Sequence, residues 1–589
     1  MYRYERIPHP AYLETTRILT LSPGSEDEPL SGTLAPMSTT DPHPFEALSY
    51  VWGRAGTWDE ITIDGKVVRL TASLGTMLRR IRYRDAPHVI WADQICINQE
   101  DLVERSQQVR HMSSIYQKAS KVLVWLGEDS AGYARSAFEL VEALVAIVED
   151  ESRLQDFKEE QTTFDWFSEE SWIALRELFK QPWFDRKWIL QEVGTDTPSE
   201  VYWGDFKVSW DNITEASALL KHHGYLLRGK YDVQVWKPWY MNKLFSVDPL
   251  GTKAQNFTYE LHRARWQQAS DPRDHIFALL GHPSVQLDEN GDREIEADYL
   301  KSVEQVFHET AVHILGKGES LMMLNVIQHE TLETALRRPN LPTWVPQWDL
   351  QESLHNLLGD DTCVYRPYHP HETVLPKPKF IESTRILLLE GVTVDIIQTI
   401  SRVLRTSDIT LESSTIAELW LSQPECVNGG FTTSGPLYPT GESSIFALLE
   451  TLSAVKKLKQ QAPIPLSERL SDGADYLTRA YSTSHGIDED LQQLGRTGNC
   501  YKWMERVSGG ADGRRFARGK KGYYALCPPA ARDGDVLCLL LGGQTLFCLR
   551  PDGDGYFFVG ECYVHGLMDG GAYDLMRSGE LPGLEFRIK

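Results

Sequence analysis

The amino-acid sequence predicts an α/β protein. A doubly wound, mostly parallel sheet is expected over residues 1–215. A mainly helical region is expected over 216–375, a mixed helical region over 376–510, and a small C-terminal β module over 511–589. Three observations carry this expectation. Apolar runs of strand length alternate with helical periodicities through the first 215 residues, the pattern of parallel strands joined by crossovers. Between 216 and 510 the periodicity is mainly helical. The last 70 or so residues set short apolar runs between D-G and G-D turns.

Taken in order, Arg17 to Leu21 forms a strand that stops before Pro23-Gly24, and Ala47 to Val51 forms a second. Glu60 to Leu70 reads as a hairpin, because Asp64-Gly65 suits a type I′ turn between β-branched runs. Leu74, Met77, Leu78 and Ile81 then repeat at helical spacing, and Ser73 fits the N-cap. Val89 to Trp91 is a buried strand. Val109, Met112, Tyr116 and Ala119 mark a helix, and Val122 to Leu126 is the next strand. Residues 135–150 and 171–180 are helical, and Val201 to Trp203 closes the series. In this architecture ligands bind at the carboxyl ends of strands. Farther along, Ile276 to Leu280 and Val303 to Ile314 are helical, 351–375 is a loop rich in Pro, His and Asp, and 380–400 is strand-forming.

Composition narrows the function. Lys and Arg number 60 and Asp and Glu 83, so the formal charge of the 589-residue chain is −23. Such a chain is a poor non-specific nucleic-acid binder and a poor ligand for anionic membrane. The eight cysteines lack the C-x2-C spacing of a structural zinc site, so no metal is expected. No apolar stretch approaches the roughly 20 residues of a membrane helix. The expectation is a soluble, cytoplasmic protein with buried free thiols, no membrane span and no prosthetic group. Gly513 to Lys521 misses the phosphate-loop spacing by one residue and reads as an exposed basic loop.

Three stretches combine polar density with aromatics: A-L-S-Y-V-W-G (Ala47 to Gly53), I-W-A-D-Q-I-C-I-N-Q (Ile90 to Gln99) and W-F-D-R-K-W-I-L-Q-E-V-G (Trp183 to Gly194). Asp93 ends a buried strand, as a ligand group or as the cap of the next turn. Asn98 fits the cap of the helix beginning near Asp101. Ser49 and Tyr50 end another strand. Trp52 and Gly53 after them form either an apolar wall with close backbone approach or part of the core. Asp185 can cap a short helix that Gly194 ends, placing Trp188 and Glu192 on one face at spacing four. The helix dipole disfavours a charge in that last turn by roughly 0.3–1 kcal/mol, and an indole beside Glu192 raises its pKa. Such a carboxylate suits an oxocarbenium-like centre. It equally suits a structural arginine. Arg105 reads as an ion-pair partner.

These stretches, continued by V-L-V-W-L-G (Val122 to Gly127), resemble the fungal heterokaryon-incompatibility (HET) domain. D-P-R-D-H-I-F-A-L-L-G (Asp271 to Gly281), L-P-T-W-V-P-Q-W (Leu341 to Trp348) and the run from Gly534 to Gly570 are similar to segments found downstream of it. Ala92, Gln94 and Gly571 depart from the usual pattern. The resemblance implies non-self recognition between fungal strains, with cell death on fusion. HET domains in turn resemble, distantly, Toll/interleukin-1 receptor (TIR) domains, some of which cleave NAD with one glutamate in a W-x-x-x-E pattern; Trp188 to Glu192 fits it. The resemblance therefore implies Glu192 and Asp93 as catalytic residues. It implies Ser49, Tyr50, Trp52, Gly53, Gln94, Asn98, Gln99 and Trp188 as ligand-binding residues, with Asn98 and Gln99 on ribose hydroxyls. NAD is then a substrate rather than a cofactor, and a protein partner or self-association is expected. Two rivals stand beside this reading: a non-catalytic signalling scaffold, and an accessory protein or unusual enzyme of a specialised-metabolite cluster.

Overall fold

A computed structural model describes residues 2–5, 7, 15–40, 42–53, 56–159, 167–242, 244–245, 256–285, 294–317, 320–351, 357, 365, 367, 376–426, 428–454 and 464–589. The described chain divides into two compact units, Met1–Ser302 and Val303–Lys589.

The first unit is built on nine strands: β1 (Thr15–Leu21), β2 (Leu30–Ser38), β3 (Glu46–Tyr50), β4 (Trp58–Ile63), β5 (Lys66–Thr71), β6 (His88–Trp91), β7 (Lys121–Trp125), β8 (Ser199–Trp203) and β9 (Phe206–Ser209). Their order is β5-β4-β2-β1-β6-β3-β7-β8-β9. The α/β class stands, but the sheet is mixed rather than mostly parallel. β6-β3-β7-β8 run parallel, as do β2 and β4. β5–β4, β2–β1, β1–β6 and β8–β9 are antiparallel. Connection length explains the antiparallel pairs β4–β5 and β8–β9, each joined by a two-residue turn. Parallel neighbours need a crossover of a dozen or more residues, whereas a two-residue turn suffices for antiparallel ones. The helices Leu102–Lys118, Ala134–Val148 and Glu169–Phe179 supply crossovers only between β6, β7 and β8. Asp64-Gly65, both at positive φ, turns β4 directly into β5 with Ile63 opposite Lys66, as the D-G signal predicts.

The central strands are apolar on both faces. Leu19, Leu48, Ile90, Val122, Val124 and Val201 are essentially inaccessible. Helices cover both sides of such strands. Each of these side chains contributes about 1.5–3 kcal/mol by burial. Two expected caps move. The helix Ala72–Ile81 is capped by Thr71, whose hydroxyl accepts from Leu74 N at 3.4 Å, so Ser73 already lies inside its first turn. Leu102–Lys118 is capped by Asp101, not Asn98. The Asp101 carboxylate accepts from the amides of Val103 and Glu104 at 3.0 and 3.1 Å, and its charge also complements the helix dipole.

The second unit contains β10 (Lys379–Ile381), β11 (Ile386–Val403), β12 (Arg515–Gly519), β13 (Tyr524–Cys527), β14 (Val536–Leu540), β15 (Leu546–Asp552), β16 (Gly555–Val564) and β17 (Gly583–Ile588). The 18-residue β11 pairs with both β12 and β14, closing the ring β11-β12-β13-β16-β15-β14. Closure leaves these strands no open edge. At Gly391 a Cβ would lie 2.0 Å from the Leu539 carbonyl oxygen, so only glycine lets β14 approach. Within the unit Arg514 pairs with Glu561 at 2.6 Å and Arg550 with Asp535 at 2.8 Å, all four buried. The basic run Gly513 to Lys521 is not a loop: Arg515–Gly519 is β12, and Arg518 reaches Glu425 at 2.6 Å. The loop expected over 351–375 lies largely outside the described residues.

Candidate functional site

Ser49 and Tyr50 are the last residues of β3, and Asp93 lies two residues beyond the end of β6. The two strands are parallel, so all three side chains stand at the carboxyl end of the sheet. Successive strand residues face opposite ways, and Ser49 and Tyr50 accordingly meet different partners.

Ser49 donates its hydroxyl to Glu192 Oε2 and accepts from Trp183 Nε1 at 2.8 Å. Arg186 closes on the same carboxylate as a fork, Nη1 to Oε2 at 3.2 Å and Nη2 to Oε1 at 3.3 Å. Glu192 is 1% exposed. Burial raises its pKa; the Arg186 charge and the Ser49 hydrogen bond oppose the rise, and the negative charge of Asp93 adds to it. The direction matches the sequence expectation, but the cause is depth rather than the helix dipole, because the helix Ile189–Val193 has only five residues. Gly194 does end that helix, its N–H donating to Leu190 O at 3.1 Å. Asp185 does not cap it. That residue closes a separate 3-10 turn, Pro182–Asp185, and its carboxylate pairs with Lys237.

Asp93 is half-buried and fully engaged. Its Oδ1 accepts from the Tyr50 hydroxyl at 2.7 Å and from Gln94 N at 2.8 Å, and its Oδ2 accepts from Trp52 Nε1 at 3.0 Å. Asp93 opens the short helix Asp93–Cys96 as its first residue rather than as its cap, which is Ala92, and its carboxylate serves the amide of Gln94 and holds two aromatic side chains. Burial and the Asp93 charge push the Tyr50 hydroxyl well above its ordinary pKa, so it stays a donor. Trp52 is 38% exposed, an indole at the rim rather than in the core. Gly53 beside it has φ of +81°, a conformation that favours glycine.

The remaining expected ligand residues divide. Gln99 Nε2 donates to the Asp93 carbonyl at 2.9 Å, and Gln94 Oε1 accepts from both the amide and the hydroxyl of Thr71 at 3.2 Å. Asn98 is a turn residue. Its side chain accepts from Glu100 N at 3.3 Å, and its amide donates to Glu104, the buried partner of Arg17. Trp188 does not join Glu192; its Nε1 donates to Asp274 Oδ2 at 3.0 Å. Arg105 is an ion-pair partner as expected, 3.9 Å from Asp274.

The constellation thus consists of two hydrogen-bonded sets, Ser49–Glu192 with Arg186 and Trp183, and Tyr50–Asp93–Trp52, linked by the charge of Asp93 acting on Glu192 and Arg186; sequence reasoning did not single out Arg186 or Trp183. Arg186 lies six residues before Glu192, a spacing that no regular helix brings together. Only the break between the 3-10 turn and the short helix does so. Chemically, the site offers a buried carboxylate on a guanidinium fork, a half-buried carboxylate nearby, and a partly exposed indole. Among the described residues no group of three or more His, Cys, Asp or Glu could hold a metal ion, and no helix is long and apolar enough to cross a membrane.

Comparison with known proteins bears on this constellation. Residues 45–192 match the family model described as heterokaryon incompatibility protein (HET), and residues 492–580 match the Het-6 β-barrel domain. The first match contains Ser49, Tyr50, Trp52, Asp93, Arg186 and Glu192, and the second contains β12 to β16. The chain is 25% identical to heterokaryon incompatibility protein 6, OR allele, of Neurospora crassa, with 94% of each chain covered. No solved structure matches the chain.

Proposed function

We propose that the chain acts in non-self recognition between fungal strains, because residues 45–192 match the heterokaryon incompatibility family model and residues 492–580 match the Het-6 β-barrel domain. The observation that carries this role is the match to a heterokaryon incompatibility protein along 94% of both chains. In this reading the α/β unit is the effector of cell death, and a partner protein or a second copy of the chain triggers it.

For the effector chemistry we propose cleavage of NAD at the nicotinamide–ribose bond. Asp93 just beyond β6, and Glu192 on a short helix that meets Ser49 at the carboxyl end of β3, support it, as does the Trp188–Glu192 likeness to the TIR pattern. Glu192 stabilises the ribosyl cation as nicotinamide leaves, and Asp93 assists from the outer side, where Trp52 offers a flat apolar surface to a planar ring. Ser49 and Arg186 hold the Glu192 carboxylate in place before the charge develops, so little reorganisation accompanies the step. Incubating the purified full-length protein with NAD and measuring free nicotinamide tests this. Turnover lost in both Glu192→Gln and Asp93→Asn supports it. No turnover in any oligomeric state, together with undiminished killing by a folded Glu192→Gln variant, sinks the chemical part.

One observation favours a second reading. Glu192 is 1% exposed and already closed by Arg186, as a structural ion pair would be. A self-associating scaffold predicts death that depends on oligomerisation and survives Glu192→Gln.

A further inference from the structure

Among the buried carboxylates that the mechanism proposed above does not use, Asp274 is tied to the helix that carries Glu192. Asp274 belongs to the D-P-R-D run and is 4% exposed. Its Oδ1 accepts from the Tyr299 hydroxyl at 2.6 Å, and its Oδ2 accepts from Trp188 Nε1 at 3.0 Å. Arg105 stands 3.9 Å from Oδ2, its guanidinium lying 3.8 Å over the Tyr299 ring. Arg273 fixes the same corner, pairing with Asp271 at 2.7 Å and donating to the carbonyls of Tyr299 and Lys301 at 2.7 and 2.8 Å. Among the described residues, Arg105, Asp271, Arg273 and Tyr299 are the charged and titratable groups that act on Asp274, and His275 follows it in the chain.

Burying a carboxylate is costly where an apolar side chain could fill the space, and the Tyr299 hydroxyl and the Trp188 indole both donate to this one. The residue it grips on the strand side is Trp188, which immediately precedes the five-residue helix carrying Glu192. That helix is too short to hold its own geometry. Other ties run from it to the same downstream segment. Gln191 Nε2 donates to the Phe277 carbonyl at 3.4 Å, and the amide of Lys187 donates to the Gln268 carbonyl at 2.8 Å. The hydrogen bond from Trp188 is the one that ends on a charged acceptor, so it is the strongest of the set.

We propose that Asp274 is a positioning residue for Glu192, fixing through the Trp188 indole the short helix that presents the carboxylate. Its place in the chemistry rests on the reading of Glu192 given above; its mechanical role does not. Glu192 is bound on one side by Ser49 and Arg186 within the constellation, and its backbone is held from the other side by Asp274.

Hydrogen exchange by mass spectrometry on the full-length chain tests this, comparing wild type, Asp274→Asn, Trp188→Phe and the double variant. The asparagine keeps the volume but cannot present an acceptor to both Trp188 and Tyr299. Peptides covering residues 186–194 are expected to exchange about tenfold faster in either single variant, while β7 and residues 303–589 stay unchanged. The double variant is expected to exchange no faster than Trp188→Phe alone, because both substitutions break the same link. Unchanged exchange at 186–194 in the folded variants, or additive effects in the double variant, overturns the proposal. Should Asp274→Asn fail to fold, Trp188→Phe alone decides, since it removes the link from the other end. Where wild type releases nicotinamide from NAD, Asp274→Asn is expected to lower kcat about tenfold or more with KM held; a change confined to KM overturns the proposal. Absence of any turnover counts against the Glu192 chemistry alone, and the exchange data then decide the positioning role by themselves.

Discussion

Replacing Asp274 with asparagine also changes how the stability of the first unit depends on pH, and the size of that change follows from the site. Burial pushes the Asp274 carboxyl from its ordinary 3.8 up to about 6; the Tyr299 hydroxyl, the Arg105 charge and the Trp188 indole oppose the rise, and Asp271 adds to it. A carboxyl whose folded pKa lies above its unfolded one binds more protons in the folded state. Its contribution is fully present below 3.8 and is lost as pH rises through 6. At about 1.36 kcal/mol per pKa unit the whole loss is about 3 kcal/mol, of which about 2 kcal/mol falls between about pH 4.5 and 7.5. Asparagine does not titrate. The difference in stability between wild type and Asp274→Asn should therefore fall by about 2 kcal/mol across that range. A constant offset of about 1–3 kcal/mol from the broken hydrogen bond is added at every pH. Calorimetry of the full-length pair at several pH values measures it, read on the transition of the first unit. For a unit of some 300 residues the difference in Tm should narrow by roughly 4–8 °C. A difference that stays flat, or widens toward alkaline pH, refutes the assignment of a buried, late-ionising carboxyl at this position.

Other consequences are more local. Ser49→Ala deprives the Trp183 indole of its acceptor and Glu192 of a donor; a loss of about 1–3 kcal/mol is expected in urea unfolding. Asp101→Ala should cost about 1 kcal/mol through the lost cap, and Asn98→Ala clearly less. The reverse order in the same assay contradicts the cap placement. In the barrel unit, Arg514→Met leaves Glu561 buried without its cation and should cost roughly 3–5 kcal/mol, seen as a lowered Tm of that unit alone.

Legibility differed from element to element. The D-G hairpin and the alternation between residues 88 and 203 were readable because they depend on neighbours in the chain. Parallel pairing was over-extended to the flanks: β2 and β9 were not read as strands at all, and strand propensity at β1 does not say in which direction it will be laid. Asp93, Ser49, Tyr50, Trp52 and Glu192 could be singled out by residue type at strand ends and on a short helix. Trp188 was placed beside Glu192 on helical spacing, yet its indole turns to Asp274, because five residues make little more than one turn and leave its side chain free to follow a better acceptor.

The amino-acid sequence by itself determined much of the local structure: which runs between residues 88 and 203 become strands or helices, and where glycine and aspartate turn the chain. Only the tertiary structure decided who meets whom. Ser49 and Glu192 are 143 residues apart, Trp188 and Asp274 are 86 apart, and β11 closes the ring on β14 across most of its unit. Periodicity reports the face an element presents to its surroundings. The partner on that face is selected by packing and by the cost of leaving a buried charge or donor unmet, and both of those are settled only when the whole chain has folded.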